Sequence, residues 1–339
     1  MKRAVVAFAW LFLMASAVAA QQPVSEAERH PSPPASSSPA PRPQVFRATT
    51  NLVPLNVTVT DGKQYVKGLT AGDFAVFEDG VQQEVQFFEA TQVPLDLIIL
   101  LDTSSSMSDK MDVVHEAAIG FLKTLRPSDR GAVVAFADGV DVLQELTSNP
   151  QALHDAVRRT TARGATSLNN AIYVSLKLFA RGTQLNGVRR QAIAVLSDGE
   201  DTSSLVTFDD VLALARKSGV GIYPIALQSK YAASRQVSTG QRRYFSESEY
   251  SLRALARETG AQAFFPLQVF ELKNVYASIA EELACQYSIA YAPANTRADG
   301  RFRRIVVRVA ARPELRLRTR TGYTAELTRR PSSMIHQQP

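Results

Sequence analysis

The chain has 339 residues, 45% of them hydrophobic, with 38 Lys and Arg against 32 Asp and Glu, a formal net charge of +6 and a sequence pI near 9.5. That apolar content suits a globular protein with a sizeable core and excludes a chain that is disordered throughout. A single cysteine, Cys285, excludes an intrachain disulfide, and the basic excess is read as solubility, because no aromatic residues are interleaved with the arginines as a nucleic-acid stacking platform requires.

The first residues, Met1-Lys2-Arg3, precede an apolar run over 4–14 and small residues over 15–20. A short basic region, an apolar core and a small-residue cleavage site predict a secretory signal over 1–20. The run is shorter than the about 20 apolar residues of a membrane span, and no other segment is long and apolar enough. A secreted or periplasmic, envelope-associated protein is therefore expected. Residues 21–45 are rich in Pro and Ser and are read as a disordered tether. Over 46–90, Leu55, Val57 and Val59 alternate with Asn56, Thr58 and Thr60, and Asp61-Gly62 and Asp79-Gly80 supply turns. This predicts three or four antiparallel strands, the alternating stretch 83–88 being one of them.

From 94 to 275, helical and strand patterns alternate. Leu95 to Leu101 is an unbroken apolar run but for Asp96 and reads as a strand buried on both faces. Helices are expected over 112–125, 150–161, 168–179, 208–217 and 247–258. Strands are expected over 131–136, 191–197 and 220–227, with a hairpin partner at 140–143 and a short last strand at 263–266. Residues 229–244 are polar and aperiodic and are read as a loop. This alternation predicts an α/β fold, a doubly wound, mostly parallel sheet with helices on both faces. A helix over 272–283 then leads to strands at 286–291, 304–309 and 315–320. In the last two, Ile305, Val307, Val309, Leu315 and Leu317 share one face and Arg304, Arg308, Arg316, Arg318 and Arg320 the other. The plainer reading of those arginines is a solvated face; the sharper one is a docking face for an acidic partner. Segments 46–90 and 284–325 are expected to form one small all-β accessory domain into which the α/β domain is inserted, and 326–339 is a flexible tail.

Three loops carry oxygen donors: Asp102-x-Ser104-x-Ser106 after the first buried strand, Thr166 before a helix, and Asp198-Gly199 after the 191–197 strand. In a sheet wound as proposed they reach one edge, the edge where open α/β sheets bind ligands. Two carboxylates and three hydroxyls are hard ligands, suited to Mg²⁺, Mn²⁺ or Ca²⁺, with Mg²⁺ favoured. The competing reading is that Asp102 caps the following helix and the serines satisfy loop amides. It accounts for one loop, not three. Glu200 and Asp201 are read as solvated, and Asp109 and Asp112 as charges favourable at a helix start.

The set Asp102, Ser104, Ser106, Thr166 and Asp198, in that order and spacing, resembles the metal-ion-dependent adhesion site of von Willebrand factor A (VWA) domains. Gly68-Leu69-Thr70-x-x-Asp73-Phe74, Glu78-Asp79-Gly80 and Arg320-Thr321-Gly322-Tyr323 resemble the flanks of the secreted bacterial proteins that carry this domain. The resemblance implies a Rossmann-like VWA fold, a divalent cation on those five residues, and a protein partner that offers a Glu or Asp carboxylate. It implies a binding module, not an enzyme. A metal-assisted secreted hydrolase is the alternative; it needs a positioned base, and His30, His115, His154 and His336 stand in no motif beside the serines.

Overall fold

The structure, a computed structural model, describes residues 52–90, 93–182, 189–198, 200–227 and 247–325. The expected signal, tether, polar loop at 229–244 and tail lie outside the described residues, as does the start of the 46–90 segment.

β1 (Val53–Asp61) and the short β2 (Gln64–Tyr65) turn at Gly62, and β3 (Phe74–Glu78) and β4 (Val81–Gln83) turn at Asp79-Gly80. β5 (Val85–Glu89) follows at once. The stretch expected as one strand over 83–88 is therefore two, broken at Glu84, and the two halves pair in different sheets.

β6 (Leu95–Asp102) is buried at every residue. After it come α1 (Met111–Leu122), β7 (Arg130–Phe136) and β8 (Val140–Thr147). α2 (Pro150–Arg158) starts on the Asn149 side chain, which accepts from the amides of Gln151 and Ala152, with Pro150 at its first turn. α3 (Leu168–Gly182), β9 (Arg190–Ser197), α4 (Phe208–Ser218) and β10 (Gly221–Ala226) complete the sheet. α5 (Glu247–Thr259) and α6 (Leu272–Cys285) pack against it. The strand order is β10-β9-β6-β7-β8, parallel except for the β7–β8 hairpin. Because β6 side chains point alternately to the two faces, Leu97, Ile99 and Leu101 meet α1, α2 and α6, while Ile98 and Leu100 meet α3, α4 and α5. The chain has the expected α/β fold with helices on both faces of a mostly parallel sheet. The expected strand at 263–266 is a single bridge, Phe264 to Ile225; Pro266, counted in that strand, has no N–H and cannot join a ladder.

β11 (Tyr287–Tyr291), β12 (Phe302–Val309), β13 (Arg316–Arg318) and β14 (Gly322–Thr324) return to the early strands. β11 and β13 pair with β1, β5 with β11, and β12 with β3 and β14. The two sheets face one another over a common core that includes Leu55, Val57, Phe74, Tyr287, Ile289 and Val307. β12 and β13 thus belong to different sheets, so the arginines expected on one shared face are divided. Arg303 and Arg320 are buried. Arg318 forms an ion pair with Glu282 of α6, which is fully buried. Glu282 also accepts from Tyr223 (3.0 Å) and Thr58 (3.3 Å), and Gln286 donates to the Tyr223 hydroxyl at 2.9 Å. One buried polar network therefore joins β1, β10, β13 and α6.

α5 stops at Gly260, whose φ is +79°, and the chain at Thr319–Arg320 crosses directly over it. A Cβ at Gly260 would lie 2.5 Å from the Arg320 backbone nitrogen. Left-handed backbone and close approach both demand glycine here. Gly260→Ala is expected to lower the unfolding free energy by about 2–4 kcal/mol, read from urea denaturation; a loss of only a few tenths would mean that the 319–320 crossing yields freely.

Candidate functional site

In this sheet, the chain leaves β6 toward β7 and leaves β9 toward β10, in opposite directions. The carboxyl ends of β6 and β9 therefore flank a crevice, the switch point where ligands of such sheets bind. Asp102 is the last residue of β6, and Asp198 directly follows β9.

Asp102 is fully buried. Its Oδ1 accepts from the Ser104 amide at 2.8 Å and its Oδ2 from the Ser197 hydroxyl at 2.5 Å. The Ser104 and Ser106 hydroxyls lie 3.0 Å apart, and Ser106 Oγ donates to Asp198 Oδ1 at 2.7 Å. Four of the five residues singled out in the sequence are thus linked side chain to side chain or through one amide. Thr166, also buried, comes alongside through its loop: the Ser105 amide donates to the Gly164 carbonyl at 3.1 Å and the Arg163 amide to the Thr103 carbonyl at 2.6 Å. The Thr166 carbonyl accepts from the amides of Thr202 and Ser203, at 2.9 and 3.1 Å, which binds this loop to the one after β9.

The capping reading of the first loop is half right. Asp102 does bind a loop amide, but α1 begins at Met111, and Lys110 before it makes no side-chain cap. Three residues that sequence reasoning passed over have defined tasks. Ser197, the last residue of β9, holds the second oxygen of Asp102. Asp201, expected as a solvated charge, accepts from the Asn169 amide in the first turn of α3 at 2.7 Å and from the Ser204 amide at 3.0 Å. Asp138 accepts from the Ala165 amide at 2.8 Å and sits so close under Gly164 (φ +74°) that only glycine fits there. A fourth residue, and the largest omission, is Lys110. Its ammonium pairs with Asp198 Oδ2 and donates to the Ser106 carbonyl at 2.5 Å. Its only sequence signal is its place four residues after Ser106.

The electrostatics are lopsided. Asp198 has the Lys110 cation; among the described residues, none pairs with Asp102. Burial raises the Asp102 pKa, the hydrogen bonds from Ser104 and Ser197 lower it, and the charge of Asp198 raises it again, the sum being upward. A divalent cation would relieve what burial imposes, and the donors are all hard oxygens. Among the described residues no group of three or more His, Cys, Asp or Glu gathers for a metal, so a cation here would rest largely on hydroxyls. His115 is buried against Thr160 at 2.7 Å and His154 lies against Asp155 at 3.1 Å, so neither serves as a base for the serines.

Residues 97–200 match the model of the von Willebrand factor type A domain. An uncharacterized protein of Synechocystis sp. is 30% identical over 113 residues, which span 32% of this chain and 26% of that protein. A UPF0353 protein of Mycobacterium leprae is 25% identical over 204 residues, 55% of this chain and 60% of that protein. The chain therefore spans less than two thirds of the length of these curated relatives. Among solved structures, the von Willebrand factor type A protein from Catenulispora acidiphila aligns with a TM-score of 0.46 at 13% identity, over 83% of this chain and 75% of that one.

A carboxyl whose folded pKa is raised burdens the folded state above that pKa and costs nothing below the unfolded value. In EDTA, Asp102→Asn is therefore expected to melt at a higher temperature than the wild type at pH 7, with the gap closing as pH falls into the ordinary carboxylate range. Equal melting temperatures across that window would show that Asp102 is not burdened by its burial.

Proposed function

We propose, from the match of residues 97–200 to the von Willebrand factor type A domain, that the protein is a metal-dependent protein-binding module. Asp102, Ser104, Ser106, Thr166 and Asp198 hold a divalent cation, Mg²⁺ first, with Mn²⁺ or Ca²⁺ as alternatives. Bound there, the cation supplies an electrophilic centre for an anionic oxygen. The residues around it do the rest. The two carboxylates formally balance a divalent cation, and with only hydroxyls as its other donors the cation stays electrophilic and has room for one more oxygen, which suits a Glu or Asp carboxylate from a partner. Leu205, 93% exposed, projects from the same group of loops; its amide donates to Asn170 Oδ1 at 3.1 Å in the first turn of α3. An apolar side chain beside a charged centre suits a protein surface better than a small metabolite.

The observation that carries this reading is the hydrogen-bonded run Asp102–Ser104–Ser106–Asp198, drawn from two strand ends, with a lysine ammonium resting on it. A cluster that already attracts one cation is built for cations. Lys110 is then a placeholder that must leave Asp198 when the metal enters. The hydrolase alternative gains nothing from the site, since Ser104 faces a second serine and the Asp198 carboxylate beside Ser106 is neutralised by Lys110. Among the described residues no helix is long and apolar enough to cross a membrane. The basic, apolar and small-residue pattern of residues 1–20 is what supports action at the envelope or outside the cell.

Mg²⁺ is expected to raise the melting temperature of the wild type and to bind at one site by calorimetry. Asp102→Ala abolishes both effects, and capture of partners from the native secretome is lost with Asp102→Ala or EDTA. Wild-type protein indifferent to Mg²⁺, Mn²⁺ and Ca²⁺ alike would sink the reading. Lys110→Ala removes the competing ammonium and is expected to tighten cation binding about tenfold, the equivalent of one ion pair of about 1.4 kcal/mol. Leu205→Asp should leave cation affinity unchanged and weaken partner capture.

A further inference from the structure

The largest cavity formed by the described residues, about 670 Å³, is not at the crevice beside Asp102. It lies between α5 and the strands β12 and β13, and Ile305, Val306 and Val307 of β12 form one wall. Charge does not select its occupant, because the lining arginines Arg253, Arg257 and Arg318 are paired with Glu249, Glu258 and Glu282. What the cleft offers is backbone.

The peptide groups of β12 alternate between its two edges. The Arg304 carbonyl accepts from the Asp79 amide at 2.9 Å, and the Ala310 amide donates to the Asp73 carbonyl at 3.3 Å, so even-numbered residues turn toward β3. The Ile305 amide donates to the Thr321 carbonyl at 2.9 Å, so odd-numbered residues turn to the opposite edge. β14 pairs with that edge only at Phe302, Arg303 and Arg304. The cover ends there because the Thr321 amide turns away, to the Glu258 carbonyl of α5 at 3.3 Å, and the Thr321 hydroxyl follows it to Glu258 Oε2 at 2.6 Å. The residues before Thr321 belong to the other sheet, where β13 pairs with β1. From the Ile305 carbonyl to the Val309 amide, with both polar groups of Val307 between them, no strand lies alongside among the described residues. The Thr319 hydroxyl in the cleft wall does not substitute, since it makes no hydrogen bond among the described residues.

Free edges of stable sheets are blunted by bulges, prolines or charges. β8, the outer strand of the α/β sheet, has two register shifts along its pairing. β12 pairs with β3 without a shift, and Ile305-Val306-Val307 carries neither charge nor proline.

We propose that the cleft receives an extended segment of a partner protein, which adds as a strand to the open edge of β12 beside Val307. Main-chain complementarity names this occupant. Val307 is 9% exposed, and unpaired backbone groups at that depth are costly; an added strand satisfies both its donor and its acceptor. Positions 305–309 give an edge of about 17 Å, at about 3.4 Å per residue. On the inner face of the added strand, side chains meet the core beside Ile305, Val307 and Leu317. On the outer face they lie beside Arg304 and Val306. The segment therefore alternates apolar with polar residues. The cleft is separate from the crevice at the ends of β6 and β9, and docking there needs no divalent cation.

Amide exchange on the full chain in EDTA, followed residue by residue by NMR, tests this. In the free protein the Val307 amide is expected to exchange about tenfold faster than those of Val306 and Arg308, which turn toward β3. A capped octapeptide of four Thr-Val repeats is expected to slow Val307 about tenfold at saturation and to leave Val306 unchanged. The same peptide N-methylated throughout, which keeps the side chains and removes the donors, should protect nothing. Ala263→Trp, at a lining residue, narrows the cleft and should abolish the protection; the N-methylated peptide keeps the test decisive if this variant does not fold. Asp102→Ala should respond as the wild type does, so the outcome is independent of the cation site. A Val307 amide as slow as Val306 in the free chain would show the edge already covered, by a second copy if dilution releases it and by the chain itself if dilution does not. Either result overturns the proposal, as does a lack of protection by the octapeptide or equal protection by its N-methylated form.

Discussion

The burial of β6 on both faces governs this molecule. Eight consecutive residues with no exposed face cannot lie at the edge of a sheet or against solvent. They require a strand on each side and a layer of helices above and below, and β9, β7 and the helices on both faces provide them. The same constraint ends the strand at a fixed point. When Asp102 emerges at the carboxyl edge it is still fully buried, so its charge must be met by hydrogen bonds from Ser104 and Ser197. Fold and candidate site are thus two ends of one strand.

The two edges of the sheet divide their labour by how completely charge is neutralised. At the amino edge, Asp96 is gripped by Arg130 and Arg189, each at 2.7 Å. Beside it, Asp129 accepts from the Leu95 amide at 2.8 Å and from Arg126. Burial works against the Asp129 charge, but the bonds from Arg126 and the Leu95 amide outweigh it, and its carboxyl is held below its ordinary value. These acids are settled and hold the start of β6 in place. At the carboxyl edge the balance is reversed. Among the described residues Asp102 has no cationic partner, Asp198 has Lys110 just before α1, and burial pushes the Asp102 pKa up. Charge held at a cost is a feature of binding sites rather than of scaffolds.

The β segments show a third arrangement. Their sheets are stitched from strands more than two hundred residues apart in sequence, as in the register Val53↔Tyr291. The Glu282 network ties them to β10 and α6. Arg318 is spent on that tie, whereas Arg320, two residues on, is buried with its guanidinium over the Tyr323 ring and its Nε without a hydrogen-bond partner among the described residues. Neighbouring arginines of one strand pattern therefore meet different surroundings.

Sequence alone determined what rests on local pattern. The apolar run into Asp102 specifies a doubly buried strand, the helical and alternating periods specify the α/β layers, and Asn149-Pro150 marks a helix start. The five oxygen-bearing residues were legible because strand ends in such a sheet converge on one edge whatever the loop details. Tertiary structure alone decided what rests on partners distant in the chain. Lys110 sits on Asp198 across 88 positions and Ser197 on Asp102 across 95, pairings that no local period encodes. The split at Glu84 and the fate of the arginines were hidden for a related reason. Alternation tells which side chains leave a strand on the same side, but not which sheet receives the strand, nor whether the face it presents meets water, a carboxylate or an empty cleft.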